Sequence, residues 1–331
     1  MESHSQIAVL GGGSWATAIV KILLENVDGL NWYLRKKENI QHIKTHHHNP
    51  NYLSSINLDI DKLSLFDDIN ETIAQSGVLI FAIPAPYLKE ATKKIHVDIT
   101  NKIVVSAIKG IIPEDNLIIG DFFNQKYNVS LNNFVVITGP CHSEEVALER
   151  LSYLTVASQD IQHAKIIAEF IRTFYIKTIL SDDIYGTQYA AILKNIFAIV
   201  AGVCHGLRYG DNFFAVLISN AIQEIKRVVD AVHPITRDIK SSAYLGDLLV
   251  TAYSQFSRNR TFGTMIGKGY SVKSAILEMS MVAEGYYATK CITEMNKTYK
   301  LNLPITEAAY NILYENISPA VEIKLLSKNL T

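Results

Sequence analysis

Five short, uninterrupted apolar runs open the chain: "IAVL" (7–10), "LNWYL" (30–34), "VLIFAI" (78–83), "IVVSAI" (103–108) and "FVVITG" (134–139), with helix-length stretches between them. A strand that is apolar throughout must be covered on both faces, and strands that alternate with helical lengths pair in parallel. The pattern therefore predicts a doubly wound α/β domain built on a parallel sheet. "YLTVAS" (153–158) and "YIKTIL" (175–180), flanking another helical span, finish that sheet. Beyond about residue 184 the periodicity becomes helical, near 186–206, 213–232, 271–294 and 305–316, with no convincing strand. A chain of 331 residues is about twice the usual length of one domain. The expectation is an α/β domain over 1–183 followed by an all-helical domain over 184–331.

Composition narrows the partners. Lysine plus arginine (31) balance aspartate plus glutamate (32), so no global field draws the chain to nucleic acid or an anionic membrane, and any anion must be met locally. Cys141, Cys204 and Cys291 form no C-x-x-C pair, which argues against a zinc or disulfide framework and fits a reducing cytoplasm. The opening "MESHSQIAVLGGG" has no basic segment followed by a long apolar one, and the apolar stretch near 196–204 is too short to span a bilayer. These features read as a soluble, untargeted cytoplasmic protein. The histidines of "HHHNP" (46–50) lack an accompanying carboxylate pattern and read as surface, so no metal is expected.

"IAVLGGGSWA" runs from strand through glycine turn into a helix start, with Gly11, Gly13 and Ala16 at the G-x-G-x-x-G/A positions. Gly11 permits the tight turn, Gly13 admits a pyrophosphate to the backbone, and Ala16 lets the helix lie on the strand. The helix N-terminus offers amide donors and a positive dipole to phosphates, and Ser14 and Trp15 stand at its opening. At the end of the next strand, "YLRKKE" places Arg35 and Lys36 where an acid would mark strict NAD use. The two cations either hold a 2′-phosphate, so that NADPH is accepted, or are solvated loop residues.

"YAAILKNIFAIVAGV" (189–203) contains one charge, Lys194. Ile192, Leu193, Ile196, Phe197, Ile199 and Val200 form a broad apolar arc, while Ala190, Ala191, Ala198, Ala201 and Gly202 surround the lysine. A small face admits another body of protein or a ligand, so Lys194 is expected in a crevice rather than in bulk water. Desolvation lowers an ammonium's pKa toward the range of a general acid or base, although a lysine paired with a carboxylate for structure looks the same. Lys109, after the strand in "SAIKG", is a second crevice cation, and two lysines suggest an anionic substrate. In "GDLLVTAYSQFSRNRTFG" (246–263), Asp247 follows a glycine, and Ser257, Arg258 and Asn259 place a guanidinium beside a hydroxyl and an amide, a set suited to phosphate. Arg260 reads as a solvated loop arginine.

In this order "GGGSWATAIV", "NPNYLSSINL", "FAIPAPYL", "SAIKGI", "GPCHSEEV", "LKNIFAIVAGVCHGLRYGDN", "LGDLLVT", "SRNRTFG" and "VAEGYYATK" resemble NAD(P)-dependent glycerol-3-phosphate dehydrogenases of the bacterial type over nearly the whole chain. The resemblance implies a Rossmann domain, a helical C-terminal domain, and reversible reduction of dihydroxyacetone phosphate by NADPH or NADH for phospholipid synthesis. Carried over by motif, Lys194 would be the proton-transfer lysine, and Lys109 and Asp247 would lie near the reacting carbon. Ser257, Arg258 and Asn259 would bind substrate. Ser14, Trp15, Arg35, Lys109, Arg258, Val282 and Glu284 would line the cofactor site. The family's "GPS-aromatic-A" is "GPCHSEEV" here: Gly139 is kept, Cys141 replaces a substrate-binding serine, and Ser143 replaces a cofactor-side alanine. A thiol is a weaker hydrogen-bonding partner than a hydroxyl, so a modestly weaker substrate contact is expected. A Cys141–His142 nucleophile is disfavoured because adjacent residues on an extended segment point opposite ways.

Two other readings stand beside this one. A related dehydrogenase could act on a 3-hydroxy acid or a sugar-acid phosphate, although the "SRN" cluster and the two lysines favour a small phosphorylated ketone. A non-catalytic NAD(P)H sensor would have no use for Lys194, Lys109 and Asp247. The apolar final helix "EAAYNILY" permits a homodimer without requiring one.

Overall fold

A computed structural model describes residues 6–279 and 281–331. The first five residues, part of the stretch read as untargeted, lie outside the described residues. The described chain divides into two units, Met1–Ile108 with Ile119–Ile184, and Lys109–Ile118 with Tyr185–Thr331.

The first unit carries strands β1 (Ile7–Leu10), β2 (Leu30–Tyr33), β3 (Leu63–Phe66), β4 (Val78–Phe81) and β5 (Ile103–Ser106). The chain then makes the short pair β6 (Ile111–Ile112) and β7 (Leu117–Ile118) before returning to β8 (Phe134–Thr138), β9 (Ser152–Ser158) and β10 (Ile176–Ser181). The eight strands of the first unit form one sheet in the order β10-β9-β8-β5-β4-β1-β2-β3. Every residue of β1, β2, β4 and β8 is buried, as continuous apolar runs covered on both faces should be. Helices α1 (Ser14–Leu24), α2 (Lys37–His46), α3 (Ile69–Ala74), α4 (Ala85–Thr92), α5 (Ile119–Tyr127), α6 (Ser143–Ala147) and α7 (Ile161–Ile171) belong to this unit.

Two features of the sheet depart from expectation. β9 pairs with β8 antiparallel, so the sheet is mixed rather than wholly parallel. An all-apolar strand carries no sign of its direction, which is why the sequence could not show it. β3, with a half-buried, exposed and half-buried pattern in place of an apolar run, escaped detection.

The second unit consists of α8 (Ile184–Gly206), α9 (Asp211–Val232), α10 (Asp247–Tyr253), α11 (Arg258–Gly267), α12 (Val272–Glu278), α13 (Glu284–Tyr299), α14 (Pro304–Leu313) and α15 (Pro319–Leu326), with the β6–β7 pair. The span expected as one helix near 271–294 is two, α12 and α13. A Cβ at Gly285 would strike the Asn195 carbonyl oxygen, so glycine there lets the first turn of α13 rest on α8. The segment Lys109–Ile118 joins this unit because Ile111 and Ile118 are buried in its core. A single cut at 183 does not include that excursion.

By length and composition α8 could cross a membrane, since the apolar stretch near 196–204 is part of a 23-residue helix. That corrects the expectation of too short a segment. The reason for its apolarity lies elsewhere, because 83% of its most apolar window is buried inside the protein. α14, the helix of "EAAYNILY", likewise places Ile305, Ala308, Ala309, Ile312 and Leu313 in this unit's own core. Its apolarity therefore carries no argument for a second copy of the chain.

Candidate active site

In the sheet unit β1 lies between β2 and β4, so the strand order reverses at β1, and the glycine turn leaves its carboxyl end. Open α/β sheets bind ligands outside such a reversal. Gly11 has φ +133°, and a Cβ there would strike the Ala82 carbonyl oxygen, so the position requires glycine twice over. Gly13 caps α1 with an ordinary φ of −82°, and a Cβ there would meet nothing within 4 Å. The N-cap residue of α1 is a glycine with no side chain to cap the helix, and the first turn contains no acid. Open space beside a glycine at a helix start fits a dinucleotide pyrophosphate. Trp15 Nε1 is buried without a hydrogen-bond partner among the described residues, an unspent donor at the helix start. The residues that would hold the pyrophosphate are Gly11, Gly13, Ser14 and Trp15.

Further residues of this unit were expected at the cofactor, Arg35 and Ser143 with Lys36 as a candidate, or at the substrate, Gly139 and Cys141. Arg35 and Lys36 are exposed just beyond β2, with Lys36 at the N-cap of α2. Gly139 has φ +117° and would clash with the Tyr153 carbonyl oxygen if it carried a Cβ. Cys141 is half-buried against the sheet unit's core. Ser143 is buried at the first position of α6, with its hydroxyl donating to Glu144 Oε2 at 3.0 Å.

In the helical unit three charged side chains from distant parts of the sequence meet. Lys194 Nζ, on α8, donates to Asp247 Oδ1, and Lys109 Nζ lies 3.4 and 3.2 Å from the two Asp247 oxygens. Asp247 is fully buried and Lys194 is 4% exposed, so the amine lies out of bulk water as its small-residue surroundings suggested. Asp247 begins α10, directly after a π-helical turn over Ser242–Gly246, and a carboxylate there is favoured by the helix dipole. Thr251 Oγ1 donates to the Asp247 carbonyl at 2.6 Å, and Asn195 Nδ2 donates to the Lys109 carbonyl at 2.8 Å, tying the β6–β7 segment to α8. Neither Thr251 nor Asn195 was singled out in the sequence, although the polar Asn195 beside Lys194 in an otherwise apolar helix was a usable signal.

Burial lowers the pKa of Lys194, the Asp247 charge opposes that, and the Lys109 charge adds to it; the net direction is down. Burial pushes the Asp247 carboxyl up, but the two ammonium groups outweigh it and hold the acid below its ordinary range. Two cations around one anion leave a net positive charge in a protected place. Such a cluster can hold an anionic substrate and pass a proton.

The "SRN" stretch is helical rather than a loop. Ser257 caps α11 by accepting from the Arg260 amide at 3.3 Å, Arg258 begins the helix, and Asn259 Oδ1 accepts from the Gly285 amide at 2.9 Å. Asn259 thus fixes the first turn of α13, where Glu284 stands, and Val282 precedes it, half-buried. Arg260, expected as a solvated loop residue, is half-buried within α11.

The small side of α8 has its own explanation. A Cβ at Gly202 would strike the Arg260 carbonyl oxygen, one at Gly206 would strike Thr264 and Gly267, and one at Gly263 would strike the Ile199 carbonyl oxygen. These glycines let α8 and α11 cross backbone to backbone, so Gly202 in that face admits a helix rather than a ligand. The rings of His42, His46 and His48 gather at centroid separations of 4.4–6.2 Å at the end of α2. Among the described residues no three His, Cys, Asp or Glu side chains are arranged to hold a metal ion.

Comparison with known proteins adds to this geometry. A family model described as the N-terminus of NAD-dependent glycerol-3-phosphate dehydrogenase matches residues 6–164, and its C-terminal counterpart matches residues 183–324. Glycerol-3-phosphate dehydrogenase (NAD(P)+) of Bacillus pumilus is 33% identical over 323 residues, covering 96% of this chain and 93% of that protein. The enzyme of the same name from Limosilactobacillus reuteri is 33% identical over 337 residues, covering 98% of each. Among solved structures, glycerol-3-phosphate dehydrogenase from Coxiella burnetii superposes with a TM-score of 0.89 at 24% identity, covering 97% of this chain and 98% of that one, a likeness of fold. The chain belongs to the NAD-dependent glycerol-3-phosphate dehydrogenase family.

Proposed function

We propose that this protein catalyses the reversible NAD(P)H-dependent reduction of dihydroxyacetone phosphate to sn-glycerol 3-phosphate, supplying glycerophospholipid synthesis, with Lys194 as the proton-transfer residue. The observation that carries this reading is the buried arrangement of Lys194, Asp247 and Lys109.

Bound NAD(P)H supplies the hydride to the ketone carbon. Lys194 in its ammonium form donates a proton to the developing alkoxide oxygen, and in the reverse direction its neutral amine accepts that proton. Asp247 orients the Lys194 amine, and Lys109 keeps Asp247 ionised while adding positive charge near the reacting carbon. Ser257, Arg258, Asn259, Gly139 and Cys141 are the further substrate contacts, Arg258 being suited to the phosphate. By the family's pattern, Arg35, Ser143, Val282, Glu284, Lys109 and Arg258 are assigned to the cofactor, as are Gly11, Gly13, Ser14 and Trp15. The sheet unit is the cofactor-binding domain, and the helical unit, with Lys109–Ile118, carries substrate binding and proton transfer. Cys141, Cys204 and Cys291 form no disulfide among the described residues, which supports a reducing, cytoplasmic setting.

The test is loss of nicotinamide absorbance on mixing the protein with NADPH or NADH and dihydroxyacetone phosphate. Turnover with that ketone and none with 3-oxo acids supports the reading. Binding of NADPH without turnover of any ketone would favour a sensor instead.

A further inference from the structure

The glycine turn is held from behind. Trp32 Nε1 donates to the Gly11 carbonyl at 2.7 Å, Asn49 Nδ2 to the Gly12 carbonyl at 3.2 Å, and Thr17 Oγ1 to the Gly13 carbonyl at 2.9 Å. Three successive carbonyls thus each accept from a different side chain, and Trp32, Asn49 and Thr17 are all wholly shielded from solvent. Asn49 Nδ2 also donates to Thr17 Oγ1 at 2.8 Å, while Asn49 Oδ1 accepts from the Asn51 amide at 3.0 Å. These bonds leave one orientation for the Asn49 amide group, with its donors toward the turn.

In a trans peptide the N–H points opposite to the C=O of the preceding residue, and no cis bond occurs among the described residues. With the carbonyls of Gly11, Gly12 and Gly13 each held by a protein donor, the amides of Gly12, Gly13 and Ser14 point away from those donors. Flexible glycines would otherwise rotate their peptide planes and present carbonyl oxygens to the phosphates. We propose that Asn49, with Thr17 and Trp32, is a positioning residue that pre-orients the amides of the glycine turn for a pyrophosphate. None of the three need touch the ligand. The proposal rests on the reading of this turn as the cofactor site, and its test separates the two.

Asn49→Asp keeps the acceptor toward Asn51 and replaces the donor toward Gly12 and Thr17 with a carboxylate oxygen. Trp32→Phe keeps an aromatic ring without the N–H, and Thr17→Ser keeps the hydroxyl. Three ligands are titrated: NADPH by its fluorescence, ADP-ribose by calorimetry, and adenosine 2′-phosphate, which lacks a pyrophosphate, by competition. Asn49→Asp and Trp32→Phe are expected to weaken NADPH and ADP-ribose about tenfold, with adenosine 2′-phosphate changed less than about twofold and Thr17→Ser close to wild type. Equal losses for all three ligands, or unchanged pyrophosphate affinities in folded Trp32→Phe and Asn49→Asp, would overturn the proposal. Failure of the wild-type protein to bind either NADPH or NADH would instead overturn the cofactor reading itself. Thermal melts of each variant, run alongside, identify any that is unfolded, and the remaining variants then decide.

Discussion

Lys194 and Lys109 share a single carboxylate: Lys194 donates to Asp247 Oδ1, and Lys109 lies 3.2 Å from Oδ2. The buried acid thus carries ion pairs to two amines at once. Asp247→Asn should therefore remove far more than one hydrogen bond. Breaking a buried ion pair by deleting one partner costs about 3–5 kcal/mol, because the surviving charges lose their compensation. Chemical denaturation should show a loss of that order in Asp247→Asn, with partial recovery in Asp247→Asn/Lys109→Met. Equal midpoints for wild type and Asp247→Asn would contradict the coupling.

The pH dependence follows from the depressed Lys194 pKa, which burial brings down to about 7. Reduction needs the ammonium form, which is full below that value and lost as pH rises through it, so kcat/KM for dihydroxyacetone phosphate should fall above about pH 7. Oxidation of glycerol 3-phosphate needs the neutral amine and should rise through the same range. Initial rates measured in both directions from pH 5.5 to 9 check the crossing. Parallel profiles would remove Lys194 from proton transfer.

Two glycines should respond in opposite ways. At Gly13 an added methyl meets nothing within 4 Å and φ is ordinary, so Gly13→Ala should alter stability by less than about 0.5 kcal/mol while weakening NADPH, whose pyrophosphate needs that space. At Gly263 the same methyl strikes the Ile199 carbonyl, so Gly263→Ala should cost about 1–3 kcal/mol or more by forcing α11 off α8. Denaturation midpoints and NADPH titrations of both variants make the comparison.

Cys141 tests a departure from the family pattern. A hydroxyl is the better hydrogen-bonding partner, so Cys141→Ser should lower KM for dihydroxyacetone phosphate about twofold with kcat little changed. An unchanged or higher KM would show that the thiol is no handicap.

The elements written most plainly in the sequence were those with one environment along their whole length. β1 and β4 are buried throughout and α8 over most of its length, and their apolar runs announce it. α11 was hidden because its content, "RNRTFGTMIG", resembles a loop; its glycines serve the close crossing with α8, a tertiary cause that no local pattern displays. Lys194 was legible as one charge in an apolar helix, while Asp247 was placed near the reacting carbon only through the family resemblance. Asn49, inside "NPNYLSSINL", gave no chemical hint, since its work is to hold a backbone carbonyl more than thirty residues away. The antiparallel entry of β9 depends on how the chain crosses the sheet, and strand composition does not encode that.

The central claim is that the buried Lys194 amine moves the proton during ketone reduction. The most direct measurement pairs kcat for dihydroxyacetone phosphate with the NADPH dissociation constant in Lys194→Ala. The account predicts a fall in kcat of about 10²–10⁴-fold with NADPH affinity within about twofold of wild type. Turnover within a few-fold of wild type in a folded, NADPH-binding Lys194→Ala protein would contradict it.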